Sequence, residues 1–232
     1  MSPDATFPYD DRADAVVDVH LPGSDPRGLL FLVHGGFWKQ EWDRTHTREM
    51  ARALADDGWV VATPEYRRVR GGGGWPTTGD DVRRAFDALP GIVEELGVSV
   101  RRTVVTGHSA GGHLALWLAT TSAAPIDRVV ALAPVCDLGE AIRLGLGDHA
   151  TEALLGSTSP AVADPMTLFD VRPGAGVAIV HGVDDDDVPI SLSRGFAQRH
   201  PWVDLHEVPG AHFEVIEPGS VAWPTVTAAL LA

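Results

Sequence analysis

Apolar residues follow two different periods along this chain. Short runs rich in valine, leucine and isoleucine alternate with longer stretches in which apolar residues recur every three to four positions. This alternation is typical of a mainly parallel β-sheet with helices packed on its faces. The seven predicted strands are Ala15–Leu21, Leu29–His34, Val60–Glu65, Arg102–Gly107, Arg128–Ala133, Val177–His181 and Asp204–Val208.

Helices are predicted between these strands. The first is Thr45–Asp57, with Thr45 as a candidate N-cap and Gly58 directly after its end. The second is Gly79–Leu96, whose apolar positions fall on one helical face. The remaining predicted helices are Ser109–Thr120, Pro189–Arg199 and Val221–Leu231.

Two segments depart from the alternation. The glycine run Gly71–Gly74, closed by Trp75-Pro76, predicts a flexible loop at the rim of a site. Residues 138–168 predict short helices joined by Gly and Pro, inserted after a strand as a small lid. Because 232 residues suffice for one α/β domain with a full core, we predict a single domain over 1–232.

Composition and charge exclude several function classes. Hydrophobic residues make up 44% of the chain and charged residues 22%, as in globular proteins. Eighteen Lys plus Arg against 32 Asp plus Glu give a net charge of 18 − 32 = −14, which repels nucleic-acid phosphates and anionic membranes. The single cysteine, Cys136, excludes an internal disulfide and fits a reducing compartment.

The start of the chain lacks the basic and apolar regions of a secretory signal, and no apolar run approaches the roughly 18 residues of a membrane helix. We therefore predict a cytoplasmic protein with neither a nucleic-acid nor a membrane partner.

Residues 107–111 have the sequence GHSAG, between a predicted strand and a predicted helix. In this context the pattern G-x-S-x-G favours a nucleophilic serine, because the sharp turn presents the Ser109 hydroxyl and needs glycines where its backbone is crowded. The alternative is a glycine-rich turn in which Ser109 only caps the helix.

A serine nucleophile needs a histidine base and a carboxylate behind it. Four consecutive aspartates, residues 184–187, follow the predicted strand that ends at His181, and His212 follows the last predicted strand. The spacing by itself does not decide which aspartate would serve.

None of the other nine histidines is predicted to act as the catalytic base. His108 and His113 flank Ser109 and are interpreted as packing residues, and His181 as a residue that supports the site. His34 belongs to the motif described next, and the predicted surface or satisfied core histidines are His20, His46, His149, His200 and His206.

Residues 34–38, HGGFW, follow the predicted strand at 29–34. Glycines let backbone N–H groups turn toward a substrate oxygen, where each donor contributes about 3 kcal/mol to transition-state stabilisation. We predict an oxyanion hole made by the N–H groups of Gly36, Phe37 and Ala110.

With these motifs in the order oxyanion glycines, serine, acid and histidine, the chain from His34 to His212 resembles the α/β-hydrolase superfamily. Within it, the chain is similar to the branch that joins arylformamidases (kynurenine formamidases) to carboxylesterases of the hormone-sensitive-lipase type. The segment HGGFW is similar to the HGGYW-like segment of arylformamidases. The segment 182–189 resembles the G-x-x-D-x-x-V-P acid loop of many α/β hydrolases, which implies Asp185 as the acid, with Asp184 as the alternative.

The resemblance implies a mostly parallel sheet between two helical layers, and hydrolysis of a small-molecule ester or amide through an acyl-enzyme of Ser109, with His212 and Asp185. No metal or organic cofactor is implied. The preferred hypothesis is an arylformamidase that converts N-formylkynurenine to kynurenine and formate, with Trp38 and Trp75 binding the aromatic amine.

Several alternatives remain at this point. They are a short-chain carboxylesterase, a peptidase-like or lactone hydrolase, an acyltransferase, and a non-catalytic binding protein that keeps the fold. The oligomeric state is open, with a homodimer among the expectations.

Overall fold

A computed structural model describes residues 2–232 of the chain and arranges eight strands in one sheet. The strands are β1 (Ala5–Pro8), β2 (Val16–His20), β3 (Gly28–Val33), β4 (Trp59–Pro64), β5 (Thr103–His108), β6 (Arg128–Leu132), β7 (Gly176–Gly182) and β8 (Asp204–Val208). Their order across the sheet is β1-β2-β4-β3-β5-β6-β7-β8. The β1–β2 and β2–β4 pairs are antiparallel, and every pair from β4 to β8 is parallel.

All seven predicted strands are present, with ends that differ by at most one residue. Strand β1 was not predicted, because its sequence ATFP is short and lacks a clear apolar alternation. It pairs with β2 alone, with alternately exposed and half-buried residues. This segment is therefore a strand because it pairs with β2 at the edge of the sheet, and not because its own residues favour β-structure.

The helices are α1 (Arg48–Asp56), α2 (Thr77–Asp87), α3 (Leu89–Glu95), α4 (Ala110–Thr121), α5 (Leu138–Leu144), α6 (Leu146–Leu155), α7 (Pro165–Leu168), α8 (Ser191–Arg199) and α9 (Trp223–Leu231). Apolar side chains of α1 and α9 form one core against the sheet, and those of α2, α3, α4 and α8 form the other. The predicted three-layer α/β-hydrolase architecture is thus confirmed. Across residues 2–232, no helix is both long and apolar enough to cross a membrane.

Two helix predictions need correction. The predicted helix Gly79–Leu96 is two helices, α2 and α3, because Pro90 has no N–H to donate to the carbonyl one turn earlier and its ring crowds that turn. The helix predicted to start at Thr45 begins with a 3₁₀ turn at Arg44–Thr47. Its N-cap is Asp43, whose carboxylate accepts the N–H of Thr45 at 2.9 Å.

The segment predicted as an insertion, 138–168, forms α5, α6, a 3₁₀ turn and α7 between β6 and β7. Residues 147–149 form a left-handed turn, which brings Gly147 against the ring of Phe37. The buried Asp164 joins both ends of the segment, because its Oδ1 accepts the N–H groups of Leu138 and Met166, each at 3.1 Å.

Asp164 is expected to make the stability of the fold depend on pH. Burial raises the pKa of this carboxyl to about 6, despite the N–H groups that it accepts. A carboxyl with a higher pKa in the folded than in the unfolded chain stabilises the fold at low pH. That stability is lost as the pH rises from about 4 to about 6, which lowers the free energy of unfolding by about 3 kcal/mol.

The measurement is urea unfolding between pH 4 and pH 7 of the parent protein and Asp164→Asn. Asparagine keeps the accepting oxygen but cannot ionise, so this contribution to the pH dependence should vanish and the variant should be more stable than the parent above pH 6. Asp164→Ala loses both hydrogen bonds and should be less stable than Asp164→Asn at every pH. Parallel stability profiles for the parent and Asp164→Asn would contradict the prediction.

Candidate active site

Ser109 lies in the turn between β5 and α4. Its backbone is left-handed, with φ 56° and ψ −118°, a conformation that costs a non-glycine residue free energy and occurs mainly at functional sites. Its side chain makes no capping hydrogen bond, which argues against a purely capping role. The turn leaves no room at Gly111, where an added Cβ would overlap the carbonyl oxygens of Val33 and His34.

His212 and Asp185 meet at the same end of the sheet. His212 Nδ1 lies 2.7 Å from Asp185 Oδ2, and since a carboxylate only accepts, Nδ1–H is the donor. Ser109 and His212 line one cavity, with 2% and 5% of their surfaces exposed. Asp185 is the buried member of the four aspartates, whereas Asp184 is exposed. The structure therefore brings together the three residues that the sequence selects.

The Asp185 carboxylate is held by four donors. Its Oδ1 accepts the backbone N–H groups of Asp187 at 3.0 Å and Val188 at 2.8 Å, and its Oδ2 faces His212 and His181. Burial by itself raises the pKa of this carboxyl, but the hydrogen bonds from His181 and His212 outweigh burial and hold the pKa well below its usual range. Asp185 is consequently anionic at any working pH.

Asp185 also takes part in a second serine–histidine pair. Ser193 Oγ lies 2.7 Å from His181 Nδ1, and His181 Nε2 lies 3.1 Å from Asp185 Oδ2. Both Ser193 and His181 are completely buried, with 0% exposure. A nucleophile has to reach a substrate carbonyl, so this pair lacks the access that Ser109 has through its cavity.

The HGGFW segment forms a left-handed turn after β3. Gly36, Phe37 and Trp38 have φ values of 104°, 49° and 55°. Successive backbone N–H groups in such a turn make a concave, positively polarised surface. The N–H groups of Phe37 and Ala110 donate to no backbone acceptor within residues 2–232, which leaves both available to an oxyanion. Gly36 is required here, because an added Cβ would overlap the Trp42 side chain.

Contacts with Tyr66 and Glu65 fix the position of His34, the first residue of the HGGFW motif. The Tyr66 hydroxyl donates to the His34 carbonyl at 2.8 Å, and the two rings stack with their centroids 4.2 Å apart. His34 Nε2 lies 3.2 Å from Glu65 Oε1. These buried contacts set where the chain leaves β3 and enters the turn.

The cavity in front of Ser109 has a volume of about 110 Å³. Its lining residues are Gly36, Phe37, Trp42, His46, His108, Ser109, Asp187, His212 and Phe213. Neither tryptophan predicted to bind substrate is among them. Trp38 is fully buried in the core against His113, and Trp75 packs against Trp117 at a centroid distance of 5.1 Å. The two tryptophans therefore make packing contacts, and the aromatic side chains that line the cavity are instead Phe37, Trp42 and Phe213.

Among the lining residues, Trp42 was missed by the sequence analysis, and His46 and His108 were interpreted as surface or packing residues. Trp42 is 44% exposed and reaches the cavity because the left-handed turn folds the following segment back over Gly36. His46 Nδ1 donates to the Asp43 carbonyl at 3.0 Å, which turns its ring toward the cavity. His108 Nε2 donates to the His212 carbonyl at 2.9 Å. The sequence feature that could have identified Trp42 is its position shortly after the HGGFW motif in the chain.

The described part of the chain contains no group of three or more His, Cys, Asp or Glu side chains arranged to hold a metal ion. The three groups brought together around the cavity, a hydroxyl, an imidazole and a carboxylate, can carry out nucleophilic chemistry with protein side chains alone.

Comparison with known proteins gives consistent results. A sequence profile of the BD-FAE family matches residues 17–199. The chain is 27% identical over 202 residues to the probable carboxylic ester hydrolase LipM of Mycobacterium tuberculosis, a match that covers 78% of this chain and 46% of that protein. The chain thus spans about half the length of this curated relative.

Solved structures share the fold at low identity. Esterase B from Lactobacillus rhamnosis superposes with a TM-score of 0.80 and 19% identity, over 100% of this chain and 84% of the esterase chain. The thermophilic esterase Est2 of Thermogutta terrifontis, solved with butyrate bound, has a TM-score of 0.76 and 22% identity, over 97% of this chain and 90% of the Est2 chain.

A matched pair of glycine substitutions tests the geometry of the HGGFW turn. We expect Gly36→Ala to lower the free energy of unfolding by about 1–3 kcal/mol, because alanine is strained at this φ and its methyl group meets Trp42. Gly91 lies in α3, and a Cβ added there would meet open space. Gly91→Ala should therefore leave the free energy of unfolding unchanged or raise it by up to about 1 kcal/mol. Urea denaturation measures both, and equal stability of the two variants would contradict the described turn.

Proposed function

The chain belongs to the BD-FAE family of the α/β-hydrolase superfamily, and on this premise we propose that it hydrolyses small carboxylic esters with Ser109 as the nucleophile. The observation that carries the proposal is the shared cavity of Ser109 and His212, with Asp185 2.7 Å behind the imidazole. The relatives support the ester class, since LipM is described as a probable carboxylic ester hydrolase and Est2 as an esterase.

Ser109 Oγ attacks the ester carbonyl while His212 Nε2 accepts the hydroxyl proton. The resulting tetrahedral intermediate expels the alcohol, which takes that proton from His212 and leaves the acyl group on Ser109. A water molecule then attacks the acyl-enzyme, gives its proton to His212, and the acid leaves as Ser109 regains its proton. Asp185 remains anionic throughout, keeps the Nδ1–H tautomer of His212 and stabilises the imidazolium.

Negative charge develops on the carbonyl oxygen in both steps. The N–H groups of Phe37 and Ala110 donate to no backbone acceptor within residues 2–232, and Gly36 lines the same cavity. We assign the N–H groups of these three residues to the oxyanion hole. Because the donors are fixed before the reaction, each contributes about 3 kcal/mol to transition-state stabilisation.

The size and walls of the cavity favour a short acyl or alcohol group. A volume of about 110 Å³ lined by Phe37, Trp42 and Phe213 accommodates a few carbon atoms against apolar rings. The bound butyrate of Est2 belongs to the same size class. Short-chain carboxylic esters are therefore the proposed substrates.

Hydrolysis of an aryl formamide is the second candidate. Its support is the HGGFW segment and the small cavity, since a formyl group is the smallest acyl group. Against it, Trp38 and Trp75, the tryptophans predicted to bind the aromatic amine, are packed away from the cavity. The ester hypothesis consequently takes precedence over the one first preferred from the sequence.

Replacing the nucleophile tests the proposal directly. Ser109→Ala should lower kcat on p-nitrophenyl acetate by at least about a thousandfold and abolish fluorophosphonate labelling, because no hydroxyl remains next to His212. Ser99→Ala, at an exposed loop position, should keep full turnover. Mass spectrometry of the labelled parent should locate the adduct on Ser109, and an adduct on Ser193 or retained turnover in Ser109→Ala would refute the assignment.

The choice between ester and formamide is settled by kinetics. We expect kcat/KM for p-nitrophenyl acetate and butyrate to exceed kcat/KM for N-formylkynurenine by at least about tenfold, because the cavity of about 110 Å³ next to Ser109 suits a short acyl group and the two tryptophans predicted to bind the aromatic amine do not line it. The Ser109→Ala protein is the blank for both assays. A preference for the formamide would instead establish the arylformamidase hypothesis.

A further inference from the structure

A chain of buried polar groups continues behind Asp185. His181 contacts Asp185 on one side and Ser193 on the other, and Cys136 Sγ lies 3.9 Å from Ser193 Oγ. His181, Ser193 and Cys136 have 0% exposure. The proposed reaction uses none of these three side chains, although a buried imidazole next to a buried carboxylate is costly unless its polar atoms are satisfied.

We propose that His181 is a positioning residue that fixes Asp185 in the orientation His212 requires. The inference rests on the proposed function, since it gives Asp185 the role of acid partner to His212. It adds that the acid is held by a dedicated imidazole from β7 as well as by its own loop.

The position of the proton on His181 follows from its neighbours. Nε2 lies 2.9 Å from the Val188 carbonyl oxygen and 3.1 Å from Asp185 Oδ2, which are both acceptors, so Nε2 carries the hydrogen. Nδ1 lies 2.7 Å from Ser193 Oγ and accepts its hydroxyl hydrogen. With this tautomer every polar atom of the ring is satisfied, and the ring has a single orientation.

This orientation constrains the carboxylate. Oδ1 is held by the N–H groups of Asp187 and Val188, while Oδ2 is shared by His181 and His212. Without the His181 donor, Oδ2 would keep one partner, and the carboxylate plane could turn about the Oδ1 contacts. His212 would then lose both its alignment toward Ser109 and part of the negative charge that stabilises its protonated form.

His181 acts on the chemical step and not on substrate binding, because it is fully buried and does not line the cavity. Its loss should therefore appear in kcat. We expect His181→Met, which fills the space without an N–H, to lower kcat by about tenfold to a hundredfold with KM within about twofold of the parent value. His181→Gln carries an N–H at the corresponding atom and should recover most of the lost kcat.

The proton NMR spectrum reports on the hydrogen bond between His212 and Asp185, which the loss of a merely structural residue would leave unchanged. The His212 Nδ1 hydrogen shared with Asp185 should give a low-field resonance in the parent, which shifts upfield in His181→Met and returns in His181→Gln. Thermal unfolding of each variant shows that the compared proteins are folded. Unchanged kcat in folded His181→Met, or an effect confined to KM, would overturn the inference.

Ser193→Ala supplies a second test should His181→Met fail to fold. It removes the donor to His181 Nδ1 and frees the ring to turn, so kcat should fall by about twofold to tenfold at constant KM. An unchanged kcat in this variant would count against the positioning role. Retained turnover in Ser109→Ala would refute the proposed function itself. An inactive Ser109→Ala protein, together with parent kcat values in the His181 and Ser193 variants, would refute only the role of His181.

Discussion

The candidate site depends on the hydrogen-bond register of five parallel strands. The register pairs Val33 with Gly107, His108 with Leu132, and Gly182 with Val208. Carboxyl ends of parallel strands lie at the same edge of a sheet, so the loops after β3, β5, β7 and β8 converge there. A slip of one residue in any pair would turn the affected side chains to the opposite face and separate the serine, the acid and the histidine.

The same edge holds unfavourable backbone conformations that the core enforces. Phe37, Trp38 and Ser109 are non-glycine residues with positive φ, each of which costs about 1–3 kcal/mol. Trp38 is fully buried and Ser109 is followed by α4, nine of whose residues are buried. Packing on both sides of each turn therefore offsets the local strain, and Trp38, which was expected to bind substrate, instead anchors the HGGFW turn in the core.

Asp185 shows how a buried charge can be both costly and useful. Four donors compensate for its desolvation, and two of them are imidazoles. Because both imidazoles approach the same oxygen, the carboxylate links His212, which lines the cavity, to the completely buried pair His181 and Ser193. A carboxylate in water would rotate and exchange partners freely, whereas here its direction is fixed before a substrate arrives.

The sequence by itself determined the layered architecture, the positions of seven strands and the order of the motifs, because periodicity, glycine turns and strand-to-helix transitions are encoded within a few neighbouring residues. Pro90 likewise carried the local information for the break between α2 and α3. Tertiary structure decided that β1 is a strand, that Asp185 and not Asp184 faces His212, and that Trp42 lines the cavity while Trp38 fills the core. These outcomes depend on which strands pair and which way side chains point once distant parts of the chain have come together. The residues of a short segment do not encode the surfaces that the segment will contact.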